Sequence, residues 1–276
     1  MNWGKLSQAQ RDAAYNNALA VPDIQALVRE RNEKAAAYRG RHAAHLDLAY
    51  GEAERAKWDI FPAETDRPCL IFIHGGYWQM NRREDFSHLA AGVAAHGWSV
   101  AMPGYSLAPE AGLTRIVAEL RAAFDWIGAH GGAHGVGQKF ILAGWSAGGQ
   151  LTAMLLDHPL ISAGLAISGV FELGPLRDTY LNEKLALTED EIVSLSPLRL
   201  RPVQKPLAIA YGTAELPALV NDSRDLHALR AAAHAPGILL PVPHADHFTI
   251  LDTLEAPDGV ITRTLLELGD QAKDLA

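Results

Sequence analysis

Gly144-Trp145-Ser146-Ala147-Gly148 fits G-x-S-x-G, a spacing that can lift a serine hydroxyl onto a tight turn. The motif follows the apolar run Phe140–Ala143, and Gln150–Leu156 after it reads as helix. That is the strand–turn–helix setting such a turn needs. Glycines on either side leave room where side chains would clash, and they let the serine backbone adopt a strained conformation. An ordinary glycine-rich turn between strand and helix is the plain alternative. A serine hydroxyl is a weak nucleophile alone, so it needs a base, and the base needs a carboxylate to orient it.

Candidates for both lie downstream, in the order serine, acid, histidine. His247, in His244-Ala245-Asp246-His247-Phe248, is the expected base, and His244 is the alternative nearer the strand end. Glu215 follows a strand ending at Tyr211 and is the first choice for the acid. Asp222 and Asp225 are its rivals. They lie where the next helix should begin and are expected to face solvent. Asp246 adjoins His247 and is discounted as its orienter. A third group stands upstream. His74-Gly75-Gly76-Tyr77-Trp78 closes another apolar run, and backbone N–H groups there, joined by that of Ala147, could receive a developing oxyanion. A Gly-Gly turn without chemical purpose is the alternative. Gly75, Trp78 and Trp145 are the expected substrate-binding positions. The two indoles read either as core or as a wall for a flat substrate.

The elements that must position these residues alternate along the chain. Helices are expected over Ser7–Leu19 and Pro22–Tyr38, then a hairpin of His45–Tyr50 and Lys57–Phe61. Cys69–His74, Ser99–Met102, Phe140–Ala143, Gly164–Val170, Pro206–Tyr211 and Gly237–Val242 read as strands. Helical pattern falls at Asp85–His96, Gly112–His130, Leu226–His234 and Val260–Leu268. This rhythm predicts one mainly parallel sheet with helices on both faces. Residues 171–205 are too long for an ordinary loop and read as an insertion over the C-terminal edge of the sheet. Within it, Thr188 to Glu191 has the spacing of a capping box.

Composition narrows the function classes. The 276 residues are 49% hydrophobic and 20% charged, which excludes a disordered chain. A net charge of −8 without a basic block argues against nucleic acid and anionic membrane surfaces as partners. Residues Met1–Asn17 carry no apolar leader core, and no run approaches the roughly 18 apolar residues of a membrane span. A cytoplasmic protein is therefore expected. The one cysteine, Cys69, permits no internal disulfide and reads as a core thiol of ordinary pKa. His130 and His134 share a helical spacing, but the glycines between them break the helix a metal site would need. Gly131–Gly137 lacks the Lys-Ser/Thr ending of a phosphate loop.

His-Gly-Gly-Tyr-Trp at 74–78, Gly144-Trp145-Ser146-Ala147-Gly148-Gly149 and Asp246-His247-Phe248 resemble the arylformamidase (kynurenine formamidase) branch of the α/β-hydrolases, near the hormone-sensitive-lipase-like esterases. Asp47-Leu48-Ala49-Tyr50-Gly51, the stretch Gly169–Leu173 and Leu195-Ser196-Pro197 extend the likeness over residues 45 to 250. The resemblance implies an α/β-hydrolase fold over 1–276, with a helical segment at 1–44 and a cap-like insertion at 171–205. It implies a triad of Ser146, Glu215 and His247, with Gly76, Tyr77 and Ala147 as oxyanion donors and no metal or cofactor. It further implies cleavage of a small N-formyl or N-acyl aryl amide such as N-formylkynurenine, and a homodimer. A carboxylesterase acting on small acyl esters would use the same triad. A non-catalytic binding protein of this fold would usually lack a triad member. Two departures bear on the substrate: relatives often carry histidine where this chain has Trp145 and Gln150.

Overall fold

Strands that are apolar at every position belong in the middle of a sheet covered on both faces. The computed structural model describes residues 3–42, 45–63 and 67–271. The ends of the 1–44 segment, at 1–2 and 43–44, and the last five residues of the chain lie outside the described residues. Eight strands form one sheet: β1 (Leu48–Ala49), β2 (Lys57–Phe61), β3 (Cys69–Ile73), β4 (Ser99–Pro103), β5 (Phe140–Trp145), β6 (Ile161–Ile167), β7 (Leu207–Gly212) and β8 (Leu239–Val242). Their order is β1-β2-β4-β3-β5-β6-β7-β8. The β1–β2 and β2–β4 pairs are antiparallel, and every other pair is parallel. All residues of β3, β4, β5 and β7 are buried.

The helices are α1 (Gln8–Tyr15), α2 (Ile24–Arg41), α3 (Ala90–Ala94), α4 (Leu113–His130), α5 (Ala147–Leu155), α6 (Asn182–Leu185), α7 (Glu189–Leu195), α8 (Pro217–Ala232), α9 (Asp252–Glu255) and α10 (Val260–Gln271). Side-chain parity along the strands divides the core into two layers. Cys69, Ile71 and Ile73 of β3 and Leu142 of β5 face the layer built with α4 and α5. Leu70 and Phe72 of β3, with Ile141, Ala143 and Trp145 of β5, face the layer built with α3 and α10.

Several expected boundaries move. Helix α1 stops at Tyr15 rather than Leu19, because the chain turns at Asn16 and Asn17. The expected helix over 85–96 is a 3-10 stretch, Arg83–Leu89, continued by the short α3. Strand β6 ends at Ile167, three residues before the expected end, where Ser168 turns with φ of 52°. Helix α8 starts at Pro217, a proline preset for the first helical turn, and not near Leu226.

Residues 171–205 fold into a 3-10 turn (Gly174–Asp178), α6, α7 and a second 3-10 turn (Pro197–Arg199). The capping box of Thr188 and Glu191 forms at the start of α7. Glu191 also accepts from the N–H and hydroxyl of Thr114, which ties this segment to the start of α4. The N-terminal helices cover the same end of the sheet. Trp3 and Gln8 donate to Asp178, and the Tyr180 N–H donates to Asp12. Arg39 of α2 binds Asp59 at 2.9 Å and Asp47 at 2.7 Å, and Arg83 also reaches both carboxylates.

Candidate active site

In a parallel sheet the ends of successive strands meet at one edge, so residues just past β3, β5, β7 and β8 come together. Ser146 follows β5 with φ of 59° and ψ of −118°, a conformation few non-glycine residues adopt. The turn is closed from two sides. Its N–H donates to the Ile167 carbonyl at 2.8 Å, and its carbonyl accepts from Gly149 and Gln150.

Close approach explains the glycines. A Cβ on Gly148 would stand 2.1 Å from the Ile73 carbonyl oxygen, and one on Gly75 would stand 2.6 Å from that of Trp145 and 2.9 Å from Ser146 Cβ. Gly148→Ala should therefore lower stability by about 1–3 kcal/mol, because the obstructing atom is backbone and cannot rotate away. A denaturant midpoint unchanged from wild type would contradict that reading.

His247 Nε2 lies 3.0 Å from Ser146 Oγ, and its Nδ1 lies 2.9 Å from Glu215 Oε2. The carboxylate accepts from Nδ1–H, which leaves Nε2 as the acceptor for the serine hydroxyl. The second carboxylate oxygen, Oε1, accepts from Ser168 Oγ and from the Gly212 N–H, each at 2.6 Å. All three side chains are buried. The loops that carry acid and base are joined, since the Ala214 N–H donates to the Ala245 carbonyl. Trp145 Nε1 donates to the His247 carbonyl at 2.7 Å.

The rival residues lie elsewhere. His244 is exposed. Asp246 Oδ1 accepts from the N–H groups of Phe248 and Thr249 and so holds the turn after His247. Asp225 is exposed, as expected, but Asp222 is not. Its carboxylate is buried one turn into α8, where Oδ2 accepts from the N–H groups of Phe171 at 2.7 Å and Glu172 at 3.1 Å. Burial pushes its pKa up to about 7 against those two hydrogen bonds, with Glu172 and Asp225 adding to the rise.

Gly76, Tyr77 and Trp78 follow one another with φ of 119°, 48° and 57°. The Gly75 end of this turn lies against Ser146. The N–H groups of Gly76, Tyr77 and Ala147 serve no hydrogen bond among the described residues. The turn is braced by His74, stacked on Tyr105 at 4.4 Å, and by Gln79, which donates to the Leu181 carbonyl.

The two tryptophans do not form one wall. Trp78 belongs to the α4–α5 layer and Trp145 to the α3–α10 layer, on opposite faces of the sheet. Trp78 is fully buried and Trp145 is 3% exposed. Trp78 Nε1 donates to Gln150 Oε1, whose amide in turn donates to the Leu195 carbonyl. Gln150 thus links the turn near the serine to the 171–205 segment. Ser168 and Gln150 acquire these roles through space, and for Ser168 no sequence signal pointed to one. Cys69 departs from an ordinary thiol, since burial raises its pKa to about 12 and keeps it protonated.

Two buried histidines make the fold sensitive to acid. Burial lowers His74 to about 3, opposed by its bond to the Gly75 carbonyl and reinforced by Arg55, Arg31 and Arg83. Burial likewise lowers His88 to about 4. Both stay neutral in the folded chain, whereas the unfolded chain takes up protons below about pH 6.5. Their stabilisation is present above that pH and is lost as pH falls through about 4 and then about 3. His88→Gln should reduce the drop in Tm between pH 7 and pH 4.5, and an identical drop in the variant would contradict this. Asp222 acts in the opposite sense: its raised pKa gives stability below about pH 4 that is lost as pH rises through about 7.

A nucleophile-elbow turn, an acid and a histidine past later strands, and this strand order define an α/β-hydrolase, and the chain is a hydrolase enzyme of that type. Within that class it is arylformamidase-like. It is similar to the kynurenine formamidase of Salmo salar, with 29% identity over 97% of each chain, and to that of Danio rerio, with 26% identity over 97% of this chain and 98% of the relative. A family model described as BD-FAE matches residues 59–157. A crystal structure from Silicibacter sp. TM1040, described as a candidate thioesterase, superposes with a TM-score of 0.80 at 29% identity, covering 92% of this chain and 98% of the other. Among the described residues no helix is long and apolar enough to cross a membrane.

Proposed function

We propose that the chain hydrolyses small N-formyl or N-acyl aryl amides, with N-formylkynurenine as the leading candidate, through an acyl-enzyme on Ser146. The observation that carries this reading is the continuous line from Ser146 Oγ through His247 to Glu215, at 3.0 and 2.9 Å. His247 Nε2 takes the hydroxyl proton as Ser146 attacks the carbonyl carbon. Glu215 holds the imidazole in the tautomer that leaves Nε2 free, and it stabilises the imidazolium that forms. The N–H groups of Gly76, Tyr77 and Ala147 receive the negative oxygen. His247 then protonates the departing arylamine nitrogen, the C–N bond breaks, and the acyl group remains on Ser146. A water molecule, deprotonated by His247, releases the acid and restores the serine. The likeness to kynurenine formamidases over nearly the whole chain supports the choice of an aryl formamide.

The test compares kcat/KM for N-formylkynurenine and p-nitrophenyl acetate on one purified sample. The formamide should be the better substrate by a clear margin. Cleavage of the activated ester alone would retain the serine chemistry but overturn the substrate, and would place the chain with carboxylesterases on small acyl esters.

A further inference from the structure

A cavity of about 120 Å³ lies between α2, the 3-10 stretch Arg83–Leu89 and the chain that follows His247. Ser146, Glu215, His247 and the assigned oxyanion donors are not among the residues that line it. Trp145 and Phe248 form its wall toward them. Their rings stand 4.9 Å and 5.4 Å from the His247 imidazole, centroid to centroid. The space is close to that of an engineered cavity of about 150 Å³ that takes one benzene.

Polarity is graded from floor to mouth. The deepest residues are Trp145, Leu251 and His88, at 3%, 7% and 7% exposed. Burial lowers the His88 pKa to about 4, so its imidazole is neutral at pH 7 and the floor carries no charge. Leu27, Val28 and Phe248 form half-buried sides. A flat apolar ring matches this interior. Charges stand toward the mouth, and three of them satisfy one another: Lys34 holds Glu30 and Glu255, each at 3.1 Å. Two others do not. Half-buried Arg31 rests on the Phe86 ring, and its Nε and Nη2 donate to Asn32 Oδ1. It makes no ion pair with a carboxylate among the described residues, and its Nη1 donors are unused there. Asp252, exposed at the start of α9, makes no ion pair with a cation among the described residues. A guanidinium and a carboxylate left unpaired around one small space match a ligand that carries both an anion and a cation.

We propose that this cavity is a second binding site, separate from the reacting centre, for an aromatic α-amino acid. The ring lies against Val28, Phe248 and the uncharged floor. The α-carboxylate accepts from Arg31, whose planar guanidinium suits a carboxylate, and the α-ammonium donates to Asp252. An α-amino acid holds its two charges on one carbon, which suits two opposite groups that line so small a space. The assignment does not depend on which acyl bond the enzyme cleaves.

Calorimetric titration of wild type, Arg31→Met and Asp252→Asn with four probes tests it. L-phenylalanine carries ring and both charges; 3-phenylpropanoate lacks the ammonium, 2-phenylethylamine lacks the carboxylate, and L-alanine lacks the ring. L-phenylalanine should bind wild type one to one with Kd below about 1 mM, and each other probe about tenfold or more weakly. Arg31→Met should lose about tenfold or more for L-phenylalanine and stay within about threefold for 2-phenylethylamine. Asp252→Asn should show the same loss for L-phenylalanine and stay within about threefold for 3-phenylpropanoate. A merely loosened fold would not produce this crossed pattern. Protein carrying a phosphonate adduct on Ser146 should bind L-phenylalanine within about threefold of the unmodified enzyme. Absence of saturable binding, equal binding of a probe that lacks one charge or the ring, or variants that match wild type or weaken every probe alike would overturn the assignment. Loss of binding in the adduct would also overturn it and make the cavity part of the substrate site. Should Arg31→Met fail to fold, Asp252→Asn, a change at the exposed mouth, is read alone. If no adduct forms on Ser146, the serine mechanism proposed above fails, and the titrations still decide this assignment.

Discussion

Ser146→Ala is expected to lower kcat by roughly 10⁵- to 10⁶-fold while the thermal midpoint stays within a few degrees of wild type. The magnitude follows from the chemistry. Without the hydroxyl there is no acyl-enzyme, His247 has no proton to accept, and only water held near the oxyanion donors remains as attacking group. The residue that replaces serine loses little packing, since Oγ contacts the imidazole and the helix after it is held by backbone bonds to Ile167 and from Gly149 and Gln150. Steady-state and single-turnover rates on the same substrate check this. Activity within tenfold of wild type would remove Ser146 from the mechanism.

Glu215→Gln is expected to cost roughly 10⁴-fold in kcat, although it changes one atom. Oε1 accepts from both Ser168 Oγ and the Gly212 N–H, so the glutamine oxygen is pinned there. The amide nitrogen then faces His247 Nδ1 and can only donate to it. Nδ1 must become the acceptor, the proton moves to Nε2, and the imidazole presents N–H to Ser146 where the mechanism needs a lone pair. Asp222→Asn is the control. Both of its backbone donors converge on one oxygen, which an asparagine carbonyl supplies as well. That variant should retain activity within a few-fold and gain stability at pH 8, where wild type keeps a buried charge. If the two variants exchanged places in activity, Asp222 would be the orienting acid.

The parts of this site that a sequence can show are those where the backbone demands a residue type. The glycines beside Ser146 and in His74-Gly75-Gly76 are such cases: each stands where a Cβ would strike the neighbouring strand end or turn. The apolar runs that became β3, β4, β5 and β7 were equally clear, because strands buried on both faces leave no polar position to confuse the pattern. What the sequence hid depends on contacts through space. Residues 161–170 are apolar enough to continue as strand to Val170, yet the chain turns at Ser168, whose hydroxyl holds Glu215. Pro217 marked the true start of α8. The expectation of a helix from Leu226 left Asp222 near its start and hence in solvent, whereas it lies one turn inside and caps the backbone at 171–172. The two tryptophans looked like neighbours of one pocket because both adjoin motifs. Strand parity sends Trp145 to the opposite layer from Trp78.

The central claim is that Ser146 is the nucleophile, and covalent trapping measures it most directly. Treating the protein with an aryl alkylphosphonate, whose aryloxide is displaced when a nucleophilic serine oxygen attacks phosphorus and keeps the phosphonyl group, then mapping the adduct by peptide mass spectrometry, identifies the attacking residue. The account predicts one adduct, on Ser146, formed in step with the loss of activity and slowed by several orders of magnitude in His247→Ala. Inactivation with the adduct on another residue, or full activity on a protein whose Ser146 is completely modified, would contradict it.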